Sequence, residues 1–411
     1  MGCKYSNDDL GSFNLRVVFV RGKTGLEETK ALNAPVDTLV AGRYQVVGYI
    51  GSAFFSTTMH CLDLHNDGEP VCLKVVIKNN KDFFDQSLDE IKLLKHINAS
   101  GDPDRHHVLQ MLDYLYFKEH LVIVTELLRE NLYEFAKLVK EEGHPPYFTL
   151  PRLQKITRQC LEALAYINSL SLIHCDIKPE NILLVSYGRV EIKLIDFGSS
   201  CYTTDDLPCY TQSRSYRAPE VLLGLPYGVK IDMWSLGAVV AELVTGYVLL
   251  QSDSVQTMLA RMEGILGPFP SSMLEKGKDV YKYFTDDRVV FQRLVQGTLD
   301  GTSSTAQSPK ERLDEDKPEF APVSAMTKSP DLVGLIALLY PKKTNLRHRL
   351  GVEDPHFLNF VQRLLSLDPD QRPTAAEALQ DPWILSGLQW TEDDLWYPPV
   401  PAEDLEESVF P

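Results

Sequence analysis

The chain has 411 residues, 44% of them hydrophobic and 24% charged, the balance of a soluble globular protein. That length exceeds one ordinary core, so two lobes are expected. A net charge of −16 argues against bulk attraction to nucleic acid or anionic membrane, so any anionic ligand has to be met by local groups. Seven cysteines without a C-x-x-C pair fit neither a secreted disulfide framework nor a zinc site, and point to the reducing cytosol or nucleus.

At the N-terminus, MGCKYS matches M-G-x-x-x-[ST], with Gly2 exposed as an acyl acceptor once Met1 is removed and Cys3 as a second acylation site. One chain anchors only marginally, so both positions would be needed; an unmodified arm is the competing reading. The segment is not a signal peptide. Residues 1–42 show no sustained period and read as an arm. From Arg43, YQVVGYIG, STTMHCLDL and EPVCLKVVI are short apolar or β-branched runs separated by Gly51 and HNDGE, the marks of antiparallel hairpins. Leu88, Ile91, Leu94 and Ile97 then line one face of a helix in DQSLDEIKLLKHI, and VLQMLDYLYF and HLVIVTELL are two further strands. After Glu126 the pattern turns helical: Thr149 is placed to cap a helix whose stripe is Leu153, Ile156, Cys160, Leu161, Leu164 and Ile167. The apolar MWSLGAVVAELVTGYVLL is interrupted by Glu242 and preceded by Asp232, so it reads as a buried core helix and not as a membrane span. Residues 297–330 are polar and poor in large apolar side chains, as in a mobile surface insertion.

Several polar motifs follow one another along this frame. GSAFFS keeps Gly51 of a glycine-rich loop, with Ser52 beside it, but has Ala53 and Ser56 where further glycines would stand. VCLKVV puts Lys74 on a strand, and Glu90 on the next helix is its best-placed partner. HCDIKPEN holds Asp176, Lys178 and Asn181, and IDFGSS holds Asp196. YRAPE ends at Glu220, KIDMWSLG presents Asp232, and DPDQRPT brings Arg372. Each fragment alone is weak; Lys74 by itself would be an ordinary strand-edge charge. The ordered set is specific, because independent chance matches multiply.

From about Arg43 to Trp383 the chain resembles a eukaryotic protein kinase, which implies an α+β fold with a small antiparallel N-lobe at 43–125 and a larger helical C-lobe at 126–390, followed by a tail at 391–411. Ser213-Arg214 before Tyr216-Arg217, an insert near 267–350, HCD in place of HRD, IDFGSSC and NNKDFFDQSLDEIKLL together resemble the dual-specificity tyrosine-phosphorylation-regulated (DYRK) family of the CMGC group most closely. By that resemblance Asp176 would accept or orient a Ser/Thr hydroxyl and Lys178 would neutralise the moving γ-phosphoryl group of ATP. Asn181 and Asp196 would hold Mg2+, and Lys74, fixed by Glu90, would hold the α- and β-phosphates. Adenine would lie among Ile50, Thr58, Cys72, Leu183 and Ile195, bonded to the backbone at Glu126 and Leu128 with Thr125 behind it. Glu220 and Arg372 would form a buried ion pair and Asp232 would brace the catalytic loop. Tyr210 aligns with the family's activating tyrosine, whose phosphate would pair with Arg214 and Arg217. Cys175 replaces the arginine that in many kinases grips an activation-loop phosphate, and Cys175 with Cys201 is either a redox pair or two buried thiols.

Ala53 and Ser56 depart from the family's pattern and would stiffen the cover over the nucleotide, and Thr58 replaces a Val that would pack on adenine. That altered loop is the support for one rival reading, a pseudokinase, and the MGC terminus supports a second, a membrane-tethered scaffold. The expected partners are protein substrates, with no nucleic acid, a membrane only through acylated Gly2 and Cys3, and a monomeric state.

Overall fold

The computed structural model of the protein describes residues 11–53, 55–77, 81–205, 211–293, 319–323 and 336–387. They fall into two compact units, the first built from residues 11–130 and 195–198 and the second from the remainder beginning at Asn131. The first unit thus ends at Glu130, five residues beyond the boundary expected at 125.

Unit one is a seven-stranded sheet and one long helix. Its elements are β1 (Arg16–Val18), β2 (Leu39–Val40), β3 (Tyr44–Ser52), β4 (Ser56–Asp63), β5 (Glu69–Val76), α1 (Lys81–Ser100), β6 (Met111–Phe117) and β7 (His120–Glu126). The order across the sheet is β1-β6-β7-β5-β4-β3-β2, antiparallel throughout except for β1 beside β6. The runs from Arg43 onward become strands as their alternation implies, because Tyr44, Val46, Met59, Cys61, Val71, Leu73, Val75, Leu115, Val122 and Val124 all turn to one buried cluster. On α1, Ile91, Leu94 and Ile97 are buried, with Leu88 half-buried at the edge of the stripe.

The arm expected over residues 1–42 needs correction wherever it is described. Leu32, Ala34 and Val40 belong to the same core cluster as the strands, β1 pairs with β6, and β2 pairs with β3. Nε2 of the buried His120 lies 3.1 Å from the Lys30 carbonyl.

Unit two is mainly helical: α2 (Leu132–Glu141), α3 (Leu150–Ser169), α4 (Pro219–Leu222), α5 (Lys230–Thr245), α6 (Val255–Leu266), α7 (Ser271–Lys276), α8 (Leu346–Leu350), α9 (Pro355–Leu364), α10 (Ala375–Ala378) and α11 (Pro382–Leu385). Short strands complete it: β8 (Leu172–Ile173), β9 (Ile182–Ser186), β10 (Glu191–Leu194), β11 (Cys201–Tyr202), β12 (Val290–Arg293), β13 (Glu319–Val323) and β14 (Ile336–Tyr340). The α3 stripe is buried at all six expected positions. Thr149 occupies the N-cap position but its side chain makes no capping bond; Pro151, with its preset φ, opens the helix instead. Ile231 to Leu243 of α5 are buried without interruption, and α9 comes so close that a Cβ on Gly237 would stand 2.9 Å from the Leu364 Cβ. That confirms a core helix, and among the described residues no helix is long and apolar enough to cross a membrane. Within the insertion expected at 297–330, residues 319–323 form β13 against β14. The rest of that segment lies outside the described residues, as do Gly2, Cys3, Tyr210 and the tail.

Candidate active site

In unit one, the period of β5 decides which way Lys74 faces. Val71, Leu73 and Val75 enter the core cluster, so Cys72 and Lys74 share the opposite side of the strand. Register then sets their neighbours: Gly51 opposes Thr58, Thr58 opposes Lys74, and Cys72 opposes Thr125. Five of the residues expected around a nucleotide therefore occupy adjoining positions of one sheet. Ile50, Ser52 and Ala53 are exposed at the end of β3, while Glu126 ends β7 and the half-buried Leu128 follows it.

The Lys74 ammonium donates to both carboxylate oxygens of Glu90 at 2.9 Å and to Oδ1 of Asp196 at 3.2 Å. Burial alone would lower the Lys74 pKa, but the two carboxylates outweigh it and hold the pKa above its ordinary value. Burial acts more strongly on Glu90, whose pKa lies above the usual carboxylate range although Lys74 draws it down. Asp196 sits at φ +62°, a left-handed conformation uncommon outside glycine. Gly198 follows it closely: an added Cβ would stand 3.3 Å from the Asp196 carboxylate, and the Gln86 amide donates to the Gly198 carbonyl at 3.0 Å.

In unit two, Asp232 at the start of α5 fixes the catalytic loop. Its buried carboxylate accepts from the backbone N–H of His174 at 2.8 Å and of Cys175 at 2.9 Å, and burial raises its pKa against those same bonds. Cys175 is thereby held at φ +66°. The Asp176 carboxylate then meets Lys178 Nζ at 2.7 Å, Asn181 Nδ2 at 3.3 Å, and both the N–H and the hydroxyl of Ser213 at 3.1 and 2.7 Å. Asn181 Nδ2 also donates to the Asp176 carbonyl at 2.8 Å. Its amide oxygen, chemically a hard ligand, is therefore on the other side of the side chain. Leu183 lies on β9, in an isolated bridge with Asn131.

Around this loop the expected structural groups meet. Glu220 and Arg372 form a fully buried two-pronged pair at 2.7 and 3.0 Å. Cys175 and Cys201 bring their sulfurs to 3.5 Å, because β11 pairs with β8 and sets Cys201 opposite Ile173. Arg217 donates to the carbonyls of Thr211 and Gln212 at 2.6 and 2.5 Å. Arg214 reaches the Asp253 carbonyl at 3.4 Å.

Sequence reading missed four participants. Phe55 puts its ring 5.6 Å from Lys74 Nζ, Ser213 clasps Asp176 from 37 residues away, and Gln212 ties Ser235 to the Ala218 N–H. The Tyr216 hydroxyl donates to the buried Glu242 at 2.7 Å, and burial chiefly, with Glu180 adding to it, pushes the Glu242 carboxyl up to about 7. The S-R-x-Y-R pattern contained Ser213 and Tyr216 without showing what they touch; Phe55 and Gln212 are brought in by tertiary contacts.

The family model described as a protein kinase domain matches residues 44–384. The dual specificity tyrosine-phosphorylation-regulated kinase mbk-2 of Caenorhabditis elegans is 36% identical over 93% of this chain and 42% of its own length. Dual specificity tyrosine-phosphorylation-regulated kinase 4 of Homo sapiens is 35% identical over 84% of this chain and 58% of its own. Dual specificity protein kinase YAK1 of Saccharomyces cerevisiae is 34% identical over 87% of this chain and 43% of its own. The chain thus spans about half the length of these relatives or less. With the match covering both units, the chain belongs to the protein kinase domain family and is a DYRK-like member of its CMGC group.

Proposed function

We propose that the chain is a protein Ser/Thr kinase that transfers the γ-phosphoryl group of ATP to protein hydroxyls and phosphorylates its own Tyr210. The observation that carries the reading is the held Asp176 carboxylate, with Lys178 at 2.7 Å and Ser213 at 2.7 Å. A carboxylate so fixed can accept the proton of an acceptor hydroxyl as that oxygen attacks phosphorus. Lys178 carries positive charge to the same place, and Lys74, kept protonated by its carboxylates, is suited to the α- and β-phosphates.

The described residues contain no group of three or more His, Cys, Asp and Glu able to hold a metal ion by themselves. Asp196 and Asn181 each carry a hard oxygen of the kind Mg2+ takes. When bound, Mg2+ would neutralise charge on the nucleotide phosphates. Tyr210 precedes Thr211 and Gln212, whose carbonyls Arg217 holds, so a phosphate there would add charge beside an arginine. The reading includes protein substrates, a monomer, a cytosolic or nuclear location, and membrane attachment only through acylated Gly2 and Cys3; fractionation of wild type against Gly2→Ala tests the last.

Transfer of labelled phosphate from ATP to a peptide library tests the activity. Wild type is expected to label Ser/Thr peptides and Asp176→Asn to lose at least about 100-fold in rate. A wild-type protein that binds ATP without transfer would establish the pseudokinase instead, and full activity with an unmodified Tyr210 would remove the autophosphorylation step.

A further inference from the structure

Two phenylalanines of unit one join the glycine-poor turn to the helix that carries Glu90. Phe55 stands between β3 and β4, and Phe83 in the first turn of α1; both are half-buried. Their ring centroids lie 5.5 Å apart, with the planes inclined at 34°. That is inside the range in which aromatic pairs attract beyond the area they bury.

Both ends of this contact are anchored. The Ala53 N–H donates to the Ser56 carbonyl at 2.8 Å and closes the turn, while the Phe55 carbonyl accepts from the Ile77 N–H at 2.9 Å. Ile77 directly follows β5, three residues after Lys74, so the turn is fastened to the strand that carries this lysine. The Phe55 ring itself lies 5.6 Å from Lys74 Nζ, close enough for the ammonium to be attracted to the ring face. On α1, Phe83, Ser87 and Glu90 follow at intervals of four and three residues and share one face. Ser87 and Glu90 are buried there, and the Ser87 hydroxyl donates to the Phe83 carbonyl at 2.8 Å. Phe84, the next residue, turns elsewhere, with its ring 6.2 Å from that of Tyr116 on β6.

A helix keeps its side chains at fixed spacing, so a shift of α1 that parts Phe83 from Phe55 also draws Glu90 away from Lys74. Glycines would let the turn close on phosphate through backbone alone, whereas Ala53 and Ser56 bring Cβ atoms to that approach. The ring pair gives the turn a second attachment. Taking the site as a nucleotide site, the reading on which this rests, we propose that Phe55 and Phe83 act as one positioning pair. It holds the turn over the triphosphate and α1 against the turn, so that ATP meets Lys74 and Glu90 already joined. Phe83 acts through Phe55 and Glu90 and touches no phosphate itself.

A double-mutant cycle on the intact chain tests the coupling, with a non-hydrolysable ATP analogue and Mg2+ titrated by calorimetry. Phe55→Leu and Phe83→Leu keep apolar bulk and lose the ring. Each is expected to weaken binding roughly three- to tenfold, the loss that one aromatic pair represents. The double variant should bind no more weakly than either single one, because a shared contact is broken only once. Phe83→Tyr, which keeps the ring, should bind as wild type does, and so should Phe84→Leu, which loses only its packing on Tyr116. In phosphotransfer, Phe83→Leu should raise the KM for ATP and leave the KM for a peptide substrate unchanged. Thermal unfolding shows which variants are folded, and methionine at either position carries the cycle if a leucine variant is not. Losses that multiply in the double variant, or equal losses in Phe83→Leu and Phe84→Leu, would make the two rings independent packing residues and overturn the pairing. Wild type that binds no nucleotide at all would overturn the nucleotide reading, and the pairing with it.

Discussion

At the scale of single residues, the candidate site is held by side chains that act on backbone. Asp232 turns two N–H groups toward itself, and the loop between them adopts the left-handed Cys175 that a non-glycine residue rarely takes. The same turn brings the Cys175 thiol to Cys201. Contact between the two thiols raises the pKa of Cys175, with burial adding to it, and lowers that of Cys201. Cys201 is therefore the thiol that ionises first and the one an oxidant meets. Hydrogen peroxide would convert Cys201 to a sulfenic acid, releasing water, and the Cys175 thiol would displace a second water to close a disulfide. A disulfide there would pull on the strand pair β8–β11 and on the residue before Asp176. We expect peroxide to reduce phosphotransfer reversibly, with dithiothreitol restoring it and Cys201→Ser resisting the reversible loss. Identical inhibition of wild type and Cys201→Ser would end the redox reading and leave two buried thiols.

At the scale of elements, α5 is the axis of unit two, buried along its length yet carrying two acids. Asp232 at its start is answered by backbone donors, while Glu242 near its end accepts from the Tyr216 hydroxyl. Burial leads in raising the Glu242 carboxyl from 4.5 to about 7. A group whose pKa is higher in the folded state binds its proton more tightly there, so the folded state is favoured below pH 4.5 and loses that advantage as pH rises toward 7. The difference is about 2.5 pKa units, on the order of 3 kcal/mol if the whole shift were expressed in stability. Glutamine keeps an oxygen for the Tyr216 hydroxyl and has no charge to bury. Urea unfolding between pH 5 and 8 is expected to show wild type losing stability relative to Glu242→Gln as pH rises, on the order of 1–3 kcal/mol. Parallel curves for the two proteins would mean that Glu242 stays solvated and that Tyr216 does not depend on it.

At the scale of the whole molecule, legibility followed distance along the chain. Asp176, Lys178 and Asn181 sit within six residues and could be read at once; Lys74 and Glu90 needed only a strand followed by a helix. Gln212 has meaning only beside Ser235, 23 residues away, and no local pattern announces it. Residues 11–42 failed for a related reason. Their apolar side chains are few and irregularly spaced, because each fills one gap beside strands formed elsewhere, and β1 takes its partner from residues 115–117. Yet Leu32, Ala34 and Val40 are all buried, and Glu27 N–H donates to the Glu119 carboxylate at 3.1 Å. Burying a leucine and a valine contributes about 1.5–3 kcal/mol each and an alanine less, so their loss together costs about 4 kcal/mol. A domain stable by roughly 5–15 kcal/mol would notice. A chain beginning at Arg43 should therefore melt lower than one beginning at Gly11, by on the order of 10 °C, and expose unit one to proteolysis first. A free arm would leave the melting temperature unchanged, and calorimetry of the two chains under one condition separates these outcomes.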